Sequence, residues 1–182
     1  FTDKDFHKKN KAMATMVLTR VANPLEYGVV ITAEDGKIIR FLEKPSWGEV
    51  FSDTINTGIY ILEPEIFKYI PEKTEFDFSK NLFPLMLKEG LPLFGYIAEG
   101  YWKDIGSLDE YVLAHQNVLN GDVRIQIPGE RLNIIGRDVW VGKNCNISPK
   151  AKFKGGVVIG NNCVIEEGTN LENCVVGDDT VI

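Results

Sequence analysis

The sequence predicts an α/β sheet over its longer first part and a parallel β-helix over its last quarter. Three observations carry that reading. Strand-like and helix-like segments alternate from Ala14 to Asn120. Seven apolar residues then stand six apart: Ile135, Val141, Ile147, Phe153, Ile159, Ile165 and Leu171. Four residues after each comes Val139, Cys145, Ala151, Val157, Cys163, Thr169 or Val175, all small or β-branched. A period of six fits neither an α-helix nor an alternating strand, but it fits hexapeptide repeats, each forming one side of a three-sided coil. With 44% hydrophobic residues in the chain, seven hits by chance would arise roughly three times in a thousand per reading frame. The lattice therefore marks structure.

Composition sets the outer bounds. The chain has 182 residues, 25% of them charged and 10% aromatic, which suits a globular domain with a smaller appendage. The net charge of −6 and the lack of a Lys/Arg stripe interleaved with aromatics exclude nucleic acid as the expected partner. No apolar run reaches the length of a membrane span. The opening FTDKDFHKKNK has neither an initiator Met nor the apolar core of a secretion signal. The three cysteines form no CxxC or Cys/His cluster, so zinc is not indicated. Cys145 and Cys163 lie one coil apart and are expected to stack at about 4.8 Å, as buried small hydrophobes rather than a disulfide. A reducing, cytoplasmic setting is the matching expectation.

Along the chain, Ala14–Val21 reads as a strand rich in Thr, Met, Val and Leu. Gly28–Thr32 and Lys37–Glu43 follow as two more strands, parted by the turn Glu34-Asp35-Gly36-Lys37. Asn56–Leu62 is a further strand, and Pro64 opens a short helix because its ring suits the first helical turn. A longer helix is predicted over Ser79–Lys88, with an irregularity at Pro84, and Leu93–Ala98 is again strand. Ser107-Leu108-Asp109-Glu110 is a capping box, and Leu108, Tyr111, Val112, Val118 and Leu119 make the helix behind it amphipathic. Such alternation predicts an open, largely parallel sheet. Residues 1–121 form one segment, 122–134 a linker and 135–182 the repeats. After Leu171 the apolar steps fall at Val176 and Ile182, a slip of one residue.

Three short motifs carry the candidate chemistry. Glu43-Lys44-Pro45 ends a strand, and Pro45 is expected to hold Lys44 extended. An acid and a neighbouring lysine there offer an acceptor for sugar hydroxyls and a point charge for phosphate. Taken alone, the pair better suits an exposed turn. Asn56-Thr57-Gly58-Ile59-Tyr60 interrupts a strand with glycine, which marks either close approach of a ligand or a bulge. Tyr101-Trp102-Lys103-Asp104-Ile105-Gly106 sets a carboxylate before a capped helix. That carboxylate suits a hard cation such as Mg²⁺, or bonding to loop amides.

In order, Tyr27-Gly28-Val29-Val30, Glu43-Lys44-Pro45, Asn56-Thr57-Gly58-Ile59-Tyr60 and Trp102-Lys103-Asp104-Ile105-Gly106 resemble the sugar-1-phosphate nucleotidyltransferase family over nearly the whole chain. The repeats resemble the tail of its long members, and Asp77–Pro84 with Tyr27–Val30 looks most like the mannose-1-phosphate guanylyltransferase branch. The resemblance implies an incomplete Rossmann-like, GT-A-like sheet followed by a left-handed parallel β-helix. It implies that Glu43 holds hexose hydroxyls and Lys44 the sugar phosphate, with the backbones of Gly28 and Gly58 against the sugar and Tyr27 and Asn56 beside it. Asp104 would be one of two carboxylates on Mg²⁺, and Lys44 and Asp104 the catalytic pair. The implied reaction is attack of a hexose-1-phosphate oxygen on the α-phosphorus of a nucleoside triphosphate, releasing pyrophosphate. A homo-oligomer built through the β-helix is expected.

The family's Gly-rich loop with its Arg and Pro-Lys-Pro segment, and the Gly-Asp that follows, do not occur in this sequence, and Phe1–Asp5 looks like the stretch just after them. The chain is thus expected to hold the sugar half of the site and not to turn over alone. Two other classes remain in view. A non-catalytic regulatory or assembly subunit would keep the fold but have no use for Glu43, Lys44 and Asp104. A hexapeptide acyltransferase would want a histidine base in the repeats, whereas His7 and His115 both lie outside them.

Overall fold

The computed structural model describes residues 2–125, 129–133 and 138–182. They form two compact units, Phe1–Trp102 and Lys103–Ile182.

The first unit contains helix α1 (Thr2–Lys9) and strands β1 (Ala14–Arg20), β2 (Gly28–Thr32), β3 (Ile38–Glu43), β4 (Thr54–Leu62) and β5 (Leu93–Ile97), with helix α2 (Phe83–Lys88) before the last strand. The sheet order is β3-β2-β4-β1-β5. Strand β1 runs antiparallel to β4 and parallel to β5, and β2 is antiparallel to both β3 and β4. The expectation of a largely parallel sheet is therefore corrected. Parallel neighbours need a crossover of a dozen or more residues. The β2–β3 link is only the turn at Glu34–Lys37, where Gly36 takes a φ of +87°. A short turn between consecutive strands forces them antiparallel, whatever elements alternate elsewhere in the chain.

The core of this unit gathers Met16, Leu18, Val30, Ile38, Ile66, Leu82, Phe83, Met86 and Leu93. Each such side chain stabilises the fold by roughly 1.5–3 kcal/mol relative to exposure. Ile66 reaches the core from the short 3₁₀ helix Pro64–Tyr69. The helix predicted over Ser79–Lys88 comes in two pieces, a wide π-type turn at Phe78–Leu82 and then α2. Pro84 has no N–H to continue the preceding ladder and sits in the first turn of α2. The Asp77 carboxylate accepts from the Lys80 amide at 2.9 Å and starts the wide turn.

The second unit begins with helix α3 (Leu108–Asn120). Ser107 accepts the Glu110 amide at 3.2 Å, one half of the expected capping box. The Glu110 carboxylate pairs with Lys103 instead of reaching back. Gly121 ends the helix at φ +87°. Strands β6 (Glu130–Asn133), β7 (Asp138–Val141), β8 (Asn146–Ile147), β9 (Lys152–Ile159), β10 (Val164–Ile165) and β11 (Asn170–Val176) follow. They form the sheets β11-β9-β7-β6 and β10-β8. Parallel pairs Val139↔Val157, Ile147↔Ile165 and Phe153↔Leu171 give a coil of eighteen residues per turn. Val139, Val141, Ala151, Phe153, Val157, Ile159, Cys163, Ile165 and Leu171 fill it, as the six-residue lattice predicts; Ile135 lies outside the described residues. Strand β6, in the stretch expected as linker, runs antiparallel to β7 and covers its edge.

The slip is real. Beyond Glu172 the β9–β11 register changes so that Cys174 pairs with Val157 and Val176 with Ile159. Val176 thereby takes the inward place, and Val175 leaves the lattice half-buried. Left-handed Gly155 (φ +68°) and Asn173 (φ +46°) absorb the change. At one corner of the coil, Asn144, Asn162 and Asp179 all hold φ near +57°, between +56° and +59°. Asn144 Nδ2 donates to Asn162 Oδ1 at 3.2 Å, and Asn162 Nδ2 to Asp179 Oδ1 at 2.9 Å. All three cysteines are free. The Cys145 and Cys163 thiols donate to the Gly160 and Gly177 carbonyls of the next turn at 3.0 and 3.1 Å. Among the described residues no helix is long and apolar enough to cross a membrane.

Asn tolerates a left-handed backbone that a β-branched residue does not. Asn162→Val should therefore lower stability by about 2 kcal/mol, while Asn162→Gly, which keeps the backbone unstrained, should cost about half as much. Urea denaturation checks both, and equal losses would sink the backbone argument.

Candidate functional site

Gly28 opens β2 and Glu43 closes β3, and the antiparallel register sets the two directly opposite each other. The Lys44 amide donates to the Tyr27 carbonyl at 3.1 Å, so Tyr27, Gly28, Glu43 and Lys44 share the open end of one hairpin. Alternation puts Phe41 and Glu43 on the same face of β3. Phe41 packs edge-on against Phe83, ring centres 5.8 Å apart. A methyl added to Gly28 would sit 2.8 Å from Glu43 Oε2 and 2.8 Å from the Phe41 ring. The carboxylate therefore lies over a bare stretch of β2 backbone, which only glycine permits. Tyr27 is braced by Trp102, with ring centres 5.6 Å apart.

The next side of the site comes from β4. Its pairing with β1 runs Met16↔Tyr60 and then Leu18↔Asn56, so Thr57, Gly58 and Ile59 bulge opposite Val17. Thr57 Oγ1 anchors the bulge to the Val17 carbonyl at 2.7 Å. Gly58 has φ +80°, and no atom lies within 4 Å of where its Cβ would be. Both readings of this glycine thus meet: it is a bulge, and it faces open space. Asn56 Oδ1 accepts the Gly58 amide at 2.9 Å, while Asn56 Nδ2 donates to the Tyr60 hydroxyl at 2.8 Å. Val29 pairs with Ile55, which brings β4 alongside the Gly28 end of β2.

Three residues that the sequence reading left without a role complete the cluster. Burial pushes the Tyr60 phenol above its ordinary value. Hydrogen bonds to Asn56 and Ser79 pull the other way, and the negative charges of Glu43 and Asp77 push further up. Tyr60, Asp77 and Ser79 therefore stand with Glu43 and Asn56 in one polar group, walled by the rings of Phe78 and Phe83. A usable signal was present: a polar tyrosine four residues past Asn56 on a glycine-broken strand.

Lys44 differs from expectation. Its φ is +44°, so it is left-handed rather than extended. Pro45 excludes the right-handed helical region for Lys44 but leaves positive φ open, and the amide bond to Tyr27 accompanies the turn. The side chain is exposed and its ammonium has no partner among the described residues. Asp104 lies in the second unit, exposed. Among the described residues no group of three or more His, Cys, Asp or Glu could hold a metal. Mg²⁺ often rests on one or two carboxylates plus substrate phosphates, and the exposed Asp104 carboxylate has the oxygen donors such an ion takes. His7 is buried, with Nδ1 2.7 Å from Thr15 Oγ1 and Nε2 3.1 Å from Glu63 Oε1. His115 Nδ1 donates to the Tyr111 carbonyl at 2.9 Å.

The first unit thus gathers Tyr27, Gly28, Glu43, Lys44, Asn56 and Gly58 on a mixed sheet, and the second carries a hexapeptide coil. Residues 4–121 match the family described as Nucleotidyl transferase, and residues 134–173 match Bacterial transferase hexapeptide (six repeats). The chain belongs to the nucleotidyl transferase family. It is 35% identical to a UTP–glucose-1-phosphate uridylyltransferase of Synechocystis sp., covering 93% of this chain and 49% of the relative. It is 31% identical to a mannose-1-phosphate guanylyltransferase of Mycobacterium tuberculosis, covering 96% and 47%. A glucose-1-phosphate adenylyltransferase of Acetivibrio thermocellus is 28% identical, covering 98% and 50%. A Bacillus anthracis protein assigned as a glucose-1-phosphate thymidylyltransferase and solved with sucrose superposes with a TM-score of 0.54 at 27% identity, over 68% of this chain and 50% of that one. The chain spans about half the length of the curated relatives it matches.

Two measurements probe this geometry. Because its phenol is raised, Tyr60 holds its proton more tightly folded than unfolded. Its contribution to stability is complete below the ordinary phenol value near 10 and is lost as pH climbs through the raised folded value. Absorbance titration at 295 nm should show one phenol ionising late, and Tyr60→Phe should remove that late step. Gly28→Ala should destabilise by about 1–3 kcal/mol in urea, since the Phe41 ring is wedged against Phe83 and cannot yield.

Proposed function

We propose that the protein containing this chain is a sugar-1-phosphate nucleotidyltransferase, and that this chain supplies its hexose-1-phosphate site. The observation that carries the reading is the register of Gly28 against Glu43, which lays an open carboxylate over bare backbone, with Lys44 next in the chain and its ammonium without a partner among the described residues. Glu43 accepts hydrogen bonds from hexose hydroxyls, and the exposed backbone at Gly28 and Gly58 lets the ring come close. Tyr27 and Asn56 border it. Lys44 receives the phosphate as a point charge. Nucleotidyl transfer of this kind is chiefly positioning and charge neutralisation, which suits a site without a nucleophilic Cys or an accessible His in the first unit.

Mg²⁺, held by Asp104 together with substrate phosphates, would neutralise phosphate charge. Mannose-1-phosphate with GTP is the substrate pair we propose. It is supported by the likeness of Asp77–Pro84 to the guanylyltransferase branch and by the mycobacterial relative; the cyanobacterial relative makes glucose-1-phosphate with UTP the competing pair. Association of copies through the coil belongs to the same proposal.

Calorimetry on this chain should detect mannose-1-phosphate binding, and Lys44→Ala should weaken it by about ten- to a hundredfold, the loss of a charged hydrogen bond. The chain alone should release no pyrophosphate from any nucleoside triphosphate with a hexose-1-phosphate. Undiminished binding by Lys44→Ala, or turnover by the chain alone, would overturn this reading.

A further inference from the structure

Within the second unit, α3 touches the coil at its C-terminal half, where Leu119 Cδ1 and Gln116 Cγ stand 3.2 and 3.7 Å from the Cβ position of Gly156. Near Ala114, His115 and Val118 the helix borders a cavity of about 480 Å³. Ile105, Val118, Leu119, Ile125 and Val158 supply apolar walls, and three turns of the coil contribute through Lys143, Asn161 and Asp178. Volumes of about 300–1,000 Å³ with mostly apolar walls and a few polar groups are typical of small-molecule sites.

The polar groups are not equivalent. Asp178 is already engaged: its Oδ1 accepts the Asn161 amide at 2.7 Å, and its carboxylate accepts Asn161 Nδ2 at 3.2 and 3.3 Å. These bonds hold its carboxyl below the usual range. Lys143 is bonded only through its backbone: its amide donates to Asn161 Oδ1 at 2.9 Å and its carbonyl accepts from the Asn162 amide at 2.8 Å. Its ammonium has no partner among the described residues. His115 uses Nδ1–H on the Tyr111 carbonyl, leaving Nε2 as an acceptor when the ring is neutral. The lining thus carries one charge of each sign: Asp178 stays anionic with its oxygens turned to Asn161, and the Lys143 ammonium is the charged group left open to a ligand.

We propose that this cavity binds a small organic anion with an apolar body, of the aryl carboxylate or aryl sulfonate class, its charged group at Lys143. The body fills the space between Val118 and Val158 and displaces water from apolar walls. The proposal does not rest on the hexose-phosphate reading.

The probe is 8-anilinonaphthalene-1-sulfonate, titrated by fluorescence into the full chain. One saturable site is expected. Lys143→Ala should weaken it about three- to fivefold, as for one exposed ion pair. Ala114→Phe and Val118→Trp, which fill the cavity from successive helix turns, should each reduce binding more than tenfold. Circular dichroism melts establish which variant is folded, and either one suffices. Binding that is non-saturable, or that a folded filling variant leaves unchanged, would overturn the proposal.

Discussion

Phe41 resting edge-on against Phe83 holds the edge strand β3 in one register, and the hairpin end depends on that contact. The strand has a single sheet neighbour, β2, so its register rests on the Glu34–Lys37 turn and on the inward side chains of Ile38 and Phe41. A slip by one residue would send every side chain of β3 to the opposite face. Glu43 would then leave Gly28, and Arg40, which now stacks over Phe51 at 4.1 Å on the other side, would be driven toward the core. An apolar ring two residues before the carboxylate therefore acts as a positional lock. The same ring is why Gly28 has no room for a side chain: the backbone is approached from above by Phe41 and Glu43 together.

The coil solves a similar register problem by repetition. Each turn places the same kind of residue above the last, so parallel pairing and core filling enforce one another. Where the sequence drops one residue, the backbone takes up the deficit at Gly155 and Asn173, and the inward column resumes with Val176. The Asn144–Asn162–Asp179 corner follows the same arithmetic, eighteen residues and then seventeen. Amide side chains suit that column because they tolerate positive φ and also bond to the turn above.

Much of this was legible from sequence because period is a strong signal. The coil, its slip, the β2–β3 turn, the capped helix and the Pro64 turn all rest on local spacing. Strand direction does not, and there the reading failed: whether two strands run parallel depends on which become neighbours. Helix α1 went unread because Asp3–Lys9 is polar on nearly every face; its purchase on the fold is Phe6 against Phe94 and Tyr96 and the buried His7. At the site, Gly28, Glu43, Asn56 and Gly58 were named from sequence and do lie together. Asp77 and Ser79 were not placed there, since they reach Tyr60 of β4 from the wide turn at Phe78–Leu82, a separate element farther along the chain. Lys44 was misjudged because proline restricts its predecessor without dictating which of the remaining conformations is used.

Hydrogen-bond capacity divides labour among the clustered residues. An asparagine side chain has two donors and an oxygen with two lone pairs. Asn56 spends one donor on Tyr60 and one lone pair on Gly58, so its main effect is to shape the bulge and to aim the phenol. Asp77 is bound to the Lys80 amide and fixes the wide turn. The Glu43 carboxylate accepts no hydrogen bond from the described residues, although it lies half-buried. Its oxygens are open to water, which supplies the donors in the free chain. Under the proposed function, a polyhydroxylated ring laid across Gly28 would bring hydroxyl donors to that carboxylate in place of water.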